Sequence, residues 1–239
     1  MNHSTDANSA PAPSPATGIT GTGDSGNDMD SNPRGATPDR GGSSLAIPRF
    51  TTARPFGMTL LITGIIGWVA AGILILEKLE LYRNPDHVTS CDINPWVSCG
   101  QVMETWQSEL FGFPNPFIGL VGFTIIITTG MALLAGARFD RWYWAGLQIG
   151  VTLGAIFAVW LWSQALFEIY ILCLYCMIVW AVMIPLVILA TVRNMIHGVI
   201  PAPAALTRTL AAWVGPIIVV TYLAVAASVF FRFSHVFIN

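Results

Sequence analysis

Charge is scarce in this sequence. Charged residues fill 10% of its 239 positions, hydrophobic residues fill 54%, and the formal net charge is −2. No basic cluster is present, so a nucleic-acid-binding surface is excluded. Histidine and cysteine are also rare, at four each. What the chain has in abundance is apolar sequence in long unbroken runs. With a mean hydropathy of +0.64, it has the composition of a membrane protein rather than a soluble domain.

Residues 1–50 are of another kind. They are rich in Pro, Gly, Ser, Thr, Asn and Asp and offer almost nothing to bury. Such a segment cannot offset its ordering entropy and is expected to be a disordered tail. It lacks the basic start and short apolar core of a signal peptide, so a cytoplasmic tail is the expectation. Residues 51–239 then form the membrane domain. Five runs, 56–76, 116–136, 142–162, 169–192 and 213–231, each approach the ~20 residues that a bilayer core requires. The fold class expected is an all-α membrane protein with five transmembrane helices.

Lys and Arg set the orientation. Eight of the 11 fall in the tail and in the 137–141 and 193–212 links, while Lys78, Arg83 and Arg232 fall on the other side. The positive-inside rule puts the N-terminus in the cytoplasm and the C-terminus outside. Cys91, Cys99, Cys173 and Cys176 all then face outward. An even number of thiols on the oxidising side reads as disulfide chemistry.

The four cysteines form two pairs. Cys91 and Cys99 lie in a loop spanning 77–115, long enough to expect a function of its own. Asp92, Asn94 and Pro95 predict a flexible turn between them. After Cys99, the positions of Val102, Met103, Trp106 and Leu110 predict a short amphipathic helix along the outer membrane surface, capping the bundle, with an irregular lid or a soluble-side helix as the alternatives. Cys173 and Cys176 sit three apart where the fourth span opens, on one helical face. A thiolate there meets the positive end of the helix and unpaired amides, which lower its pKa. Cys173, nearer the terminus, is the expected nucleophile, and Cys176 faces the bundle interior.

Several readings compete. The 91–99 pair could be a structural staple of an outer loop. For 173–176 that reading is weak, because closing two residues removes little unfolded-state entropy. A tetrathiolate metal site lacks support, since His87 is the only other soft ligand in the loop, and no metal is expected. Transport lacks intramembrane ionisable groups, Gln148 being the main polar residue within span three. Two disulfide-capable pairs on one face, one mobile and one in the membrane, describe an electron relay from a soluble dithiol to a membrane-soluble acceptor. Depth and apolarity point to a quinone.

At this point the chain resembles the vitamin K epoxide reductase family in its bacterial form, over roughly 56–192. The resemblance rests on the C-x7-C pair, Thr105 six positions after Cys99, "PNPFIG" entering span two and C-x-x-C opening span four. It implies a four-helix bundle around a quinone (menaquinone or ubiquinone) with a fifth helix beside it, in a bacterial inner or plasma membrane. It assigns Cys173 and Cys176 as the active-site pair, Cys176 next to the quinone ring, and Cys91 and Cys99 as the shuttle pair. Asn115 matches a residue that donates to a quinone carbonyl, and helix capping before Pro116 is its alternative. Thr105 matches a position that is commonly Ser or Thr, with a local capping role as alternative. Trp180 stands where the animal enzymes carry a quinone-binding Tyr, so an indole contact replaces the phenol and use of epoxide is in doubt.

Many bacterial relatives fuse a thioredoxin-like domain after the fifth span. This sequence ends at Asn239, so a separate DsbA-like thioredoxin-fold protein is the expected electron donor. The expected function is a thiol:quinone oxidoreductase that reoxidises this partner. The alternatives are a vitamin K epoxide or quinone reductase acting mainly to make quinol, and a non-enzymatic scaffold with structural disulfides.

Overall fold

In lipid, a long apolar run can satisfy its backbone hydrogen bonds only internally, and these runs fold as helices. A computed structural model describes residues 48–238, without the side chains of Arg49 and of residues 235–238. The tail expected over 1–50 lies outside the described residues except for its last three positions. There a 3₁₀ turn, Arg49–Thr51, leads into the first helix.

The helices are α1 (Ala53–Arg83), α2 (Cys99–Met103), α3 (Pro116–Leu134), α4 (Arg141–Gln164), α5 (Leu174–Ile196) and α6 (Ala204–Ile238). All but α2 are long and apolar enough to cross a membrane. Among the described residues there is no strand, only two isolated β-bridges. The chain is an all-α membrane protein of five spans. α1 packs along α3 and α5, α5 also meets α4 and α6, and α3 barely touches α4. Four helices therefore share the core, with α6 laid along α5.

Small residues bring α1 and α3 together. A Cβ added at Gly130 would stand 2.9 Å from the Gly57 carbonyl oxygen and the Leu61 nitrogen, so only glycine allows this approach. Phe56, Leu60, Phe123, Ile126, Leu147 and Leu186 fill the core between the helices. Gln148 is absorbed structurally: its amide donates to Thr191 Oγ1 at 2.9 Å and accepts from Asn194 Nδ2 at 2.9 Å. At the same end of the bundle, the Arg193 guanidinium lies 3.7 Å from the Trp144 ring centroid and 4.8 Å from that of Phe56. These are cation–π contacts that steady a buried charge.

At the opposite end two expectations change. The fourth span starts at Leu174, not 169. α4 ends in a π turn, Ala165–Ile169, and Tyr170 takes a left-handed φ of 61° to reverse the chain. Residues 170–173 are therefore extended or turning, and Cys173 is the N-cap of α5 rather than a residue of its first turn.

The amphipathic cap helix is only five residues long. It stops at Met103, and a separate 3₁₀ turn covers Trp106–Glu109. Side-chain hydroxyls end it: Thr105 Oγ1 donates to the Val102 carbonyl at 2.7 Å, and Ser108 Oγ to that of Met103 at 2.6 Å. Met103 points inward, while Trp106 and Leu110 are exposed, so the expected single apolar face is not formed. The turn between Cys91 and Cys99 is bridged by side-chain bonds of its own. Asn94 Oδ1 accepts from the amides of Trp96 and Val97, both at 2.9 Å.

Candidate active site

Cys91 and Cys99 form a disulfide, with Cα atoms 5.6 Å apart. The residues beside each cysteine hold the ring closed. Ser98 is the N-cap of α2, its hydroxyl accepting from the Gln101 amide at 3.1 Å, so the short helix begins at Cys99. The same hydroxyl donates to Asp92 Oδ1 at 2.6 Å, and Asp92 also accepts from the amides of Thr89 (2.8 Å) and Gly100 (3.1 Å). One carboxylate thus ties the flank of Cys91 to the flank of Cys99. Burial pushes the Asp92 carboxyl up, but the hydrogen bonds from Ser98, Thr89 and Gly100 outweigh it and hold it below its ordinary range.

A second set of bonds sets the ring against α5. The Leu172 amide donates to the Trp96 carbonyl at 2.9 Å, and the Ser98 amide to the Leu172 carbonyl at 3.0 Å. This bridge joins residues next to Cys99 and Cys173, and it sets the register of the two sulfurs. Cys99 Sγ lies 3.2 Å from Cys173 Sγ, within the ~3–3.5 Å expected of reacting atoms. Cys91, Cys99 and Cys173 have their sulfurs within 4.8 Å of one another. With two of the three joined, the trio has the arrangement of thiol–disulfide exchange.

Cys173 and Cys176 are free thiols. The Cys176 amide donates to Cys173 Sγ at 3.4 Å, the helix-end contact expected from the sequence. The Cys176 thiol, together with the amides of Cys176 and Tyr175, lowers the Cys173 pKa against the opposing effects of burial and the Asp92 charge. Cys176, half-buried, packs beside Cys173 among Leu74 and Met103.

Asn115 is buried at the N-cap of α3, but its side chain does not cap the helix. Its Nδ2 donates instead to the Gln107 carbonyl at 2.6 Å, while Oδ1 is buried with no hydrogen-bond partner. Thr105 has its hydroxyl turned to the Val102 carbonyl, a local bond. Trp180 is buried on α5, one helical turn beyond Cys176 on the same side.

Residues that sequence reasoning passed over fasten this end. Lys78, buried on α1, donates to the Met103 carbonyl at 2.6 Å and pairs with Glu109 at 2.7 Å. Tyr82, one turn on, also bonds Glu109. Glu77 accepts from the Ser90 amide at 3.1 Å and pairs with His87 at 3.0 Å. Ser90 Oγ meets the Tyr175 hydroxyl at 3.0 Å. Ser98 was readable as a helix cap and Asp92 as its neighbour across the turn; the α1 contacts left no local signal.

Fold and site together define a multi-pass helical membrane protein that holds a disulfide and a dithiol in contact at one end of its bundle. The chain belongs to the vitamin K epoxide reductase family, whose profile matches residues 58–191, more than half its length. No curated protein matches it. It is therefore a membrane oxidoreductase, from a family whose enzymes use quinones as electron acceptors.

Proposed function

We propose that this protein oxidises a DsbA-like thioredoxin-fold partner outside the cytoplasm of a bacterium and delivers the electrons to a membrane quinone. The observation that carries this reading is the 3.2 Å contact between Cys99, in its disulfide, and the Cys173 thiol. A loop staple has no need of a free thiol at that distance.

The relay begins when a partner thiolate attacks Cys91, giving a partner–Cys91 mixed disulfide and a Cys99 thiolate. The partner's second thiol resolves that bond and leaves an oxidised partner and a Cys91 thiolate. Cys99 attacks Cys173 of an oxidised Cys173–Cys176 pair, releasing the Cys176 thiolate. Cys91 then attacks Cys99, re-forming the loop disulfide and releasing Cys173. Two electrons have moved from the partner's dithiol to the Cys173–Cys176 dithiol. That sequence ends with the loop pair oxidised and the helix pair reduced.

A bound quinone supplies the two-electron, two-proton sink. Asn115 fits such a ligand: its unpaired Oδ1 can accept from a quinol hydroxyl, and the second Nδ2 hydrogen can donate to a quinone carbonyl. Trp180 supplies an apolar face on the Cys176 side of α5. Thr105, already bonded to Val102, retains acceptor capacity only.

The test uses purified full-length protein in nanodiscs with a dithiol donor and short-chain ubiquinone or menaquinone. Quinol should form, and Cys176→Ser should abolish it. Wild-type turnover in Cys176→Ser would refute the assignment.

A further inference from the structure

Beyond Arg208 the sequence carries one Asp, Glu, Lys or Arg, and it is Arg232, near the end of α6. The bland role of such an arginine is to anchor its helix at the membrane edge. Arg232 does more, because it engages the chain between α4 and α5. Its Nε donates to the Leu166 carbonyl at 2.8 Å, and its guanidinium lies 4.2 Å from the Tyr170 ring centroid. Leu166 belongs to the π turn that ends α4, where the last carbonyls have no partner within the helix. Tyr170 is the one described residue other than glycine with a positive φ, a conformation that persists only where its surroundings impose it. One side chain therefore grips both sides of the reversal that delivers Cys173 to the start of α5.

The next residue acts on the other partner. Phe233, 4% exposed, meets the Trp96 ring edge-on at 6.5 Å and packs against Leu166 and Leu172. Trp96 and Leu172 are joined by a backbone bond of the bridge that sets the Cys99–Cys173 contact. We propose that Arg232 and Phe233 are positioning residues: the outer end of the fifth span completes the site by holding segments 96–98 and 170–173 in the register that brings the two sulfurs to 3.2 Å. Both act through other residues and not on sulfur. The consequence for turnover rests on the oxidoreductase reading above, whereas the sulfur register can be measured without it. The guanidinium itself matters. Its plane donates through Nε while its face covers the Tyr170 ring, and a lysine ammonium cannot do both.

The experiment is disulfide trapping on the full-length protein in nanodiscs, in a Cys91→Ser, Cys176→Ser parent that leaves Cys99 and Cys173. Diamide takes two electrons and two protons from the pair, and mass spectrometry follows the rate of bond formation. Arg232→Met should slow it about 10-fold, and Arg232→Lys, which keeps a charge at the membrane edge, about threefold or more. With all four cysteines present, Arg232→Met should lower kcat for quinol formation by a similar factor. The KM for quinone should stay within about twofold, because no contact above involves Asn115 or Trp180. Phe233→Leu, a smaller change to the same brace, should slow trapping about threefold and serves if Arg232→Met does not fold. The parent rate in Arg232→Lys would reduce Arg232 to an interface anchor, and the parent rate in Arg232→Met or Phe233→Leu would equally overturn the proposal. So would a parent whose two sulfurs never join. A parent that traps as expected, but whose four-cysteine form makes no quinol, would sink the oxidoreductase reading and leave the positioning role standing.

Discussion

The sulfur of Cys99 lies 3.2 Å from that of Cys173, although 73 residues separate the two in the chain and Cys99 is already bonded to Cys91. Two backbone hydrogen bonds hold that contact, tying Leu172, next to Cys173, to Ser98, next to Cys99, and to Trp96. In the relay proposed above, Cys99 rather than Cys91 hands electrons to the helix pair, and Cys91 is left for the donor.

The Cys173 thiol should titrate low. Its alkylation by iodoacetamide, followed by mass spectrometry against pH, should have a midpoint below the ~8.5 of a free thiol. Thiolate accumulates as pH rises through the lowered value, so reactivity appears at lower pH than for an ordinary cysteine. The Cys176 thiol is the largest influence on that value. Cys176→Ala should therefore move the midpoint upward; an unmoved midpoint would remove Cys176 from the account.

Lys78 should act as the fastener of the segment after α2. Lys78→Met removes its bond to the Met103 carbonyl and its pairing with Glu109. The melting temperature should fall by about 3–5 °C, for roughly 1–2 kcal/mol lost. The Glu109 carboxyl is held below its ordinary range, first by Lys78 and then by Tyr82. A depressed folded pKa contributes stability above the unfolded value and loses it as pH falls through the folded one. Thermal unfolding should thus show the fastening intact above about pH 5 and weakening below about pH 4.

Asn115 should govern quinone affinity. Asn115→Ala removes both the bond to Gln107 and the unpaired acceptor, and it should raise the KM for quinone about 10-fold. Asn115→Asp should be worse, because a carboxylate cannot donate to the Gln107 carbonyl and meets it at short range. Steady-state kinetics with a fixed dithiol concentration measures both. An unchanged KM in Asn115→Ala would assign this residue to loop structure alone.

Much of this was legible in the sequence for physical reasons. Apolar runs near bilayer length fold as helices in lipid, so the five spans were readable, although the last was drawn over 213–231 and its helix runs Ala204–Ile238. Cysteine spacing and the helix start before Cys176 marked the cysteines that the fold brings together. The short helix from Cys99 was misread because apolar positions at 102, 103, 106 and 110 match a helical period, whereas the hydroxyls of Thr105 and Ser108 take the backbone carbonyls that would continue it. The turn at Asn94 was expected from its composition, and its side chain bonds the amides of Trp96 and Val97. The bridge to Leu172 joins distant segments through two backbone bonds and leaves no periodic trace. The left-handed Tyr170 is a conformation that glycine, not tyrosine, would have signalled.

Disulfide trapping tests the sulfur register most directly. In a Cys176→Ser background, Cys91→Ser leaves Cys99 to pair with Cys173, and Cys99→Ser leaves Cys91. Mass spectrometry after mild oxidation should find the Cys99–Cys173 bond as the main product of the first variant, and at least about 10-fold less Cys91–Cys173 bond in the second. Equal trapping in both, or preferential trapping of Cys91, would contradict a relay through Cys99.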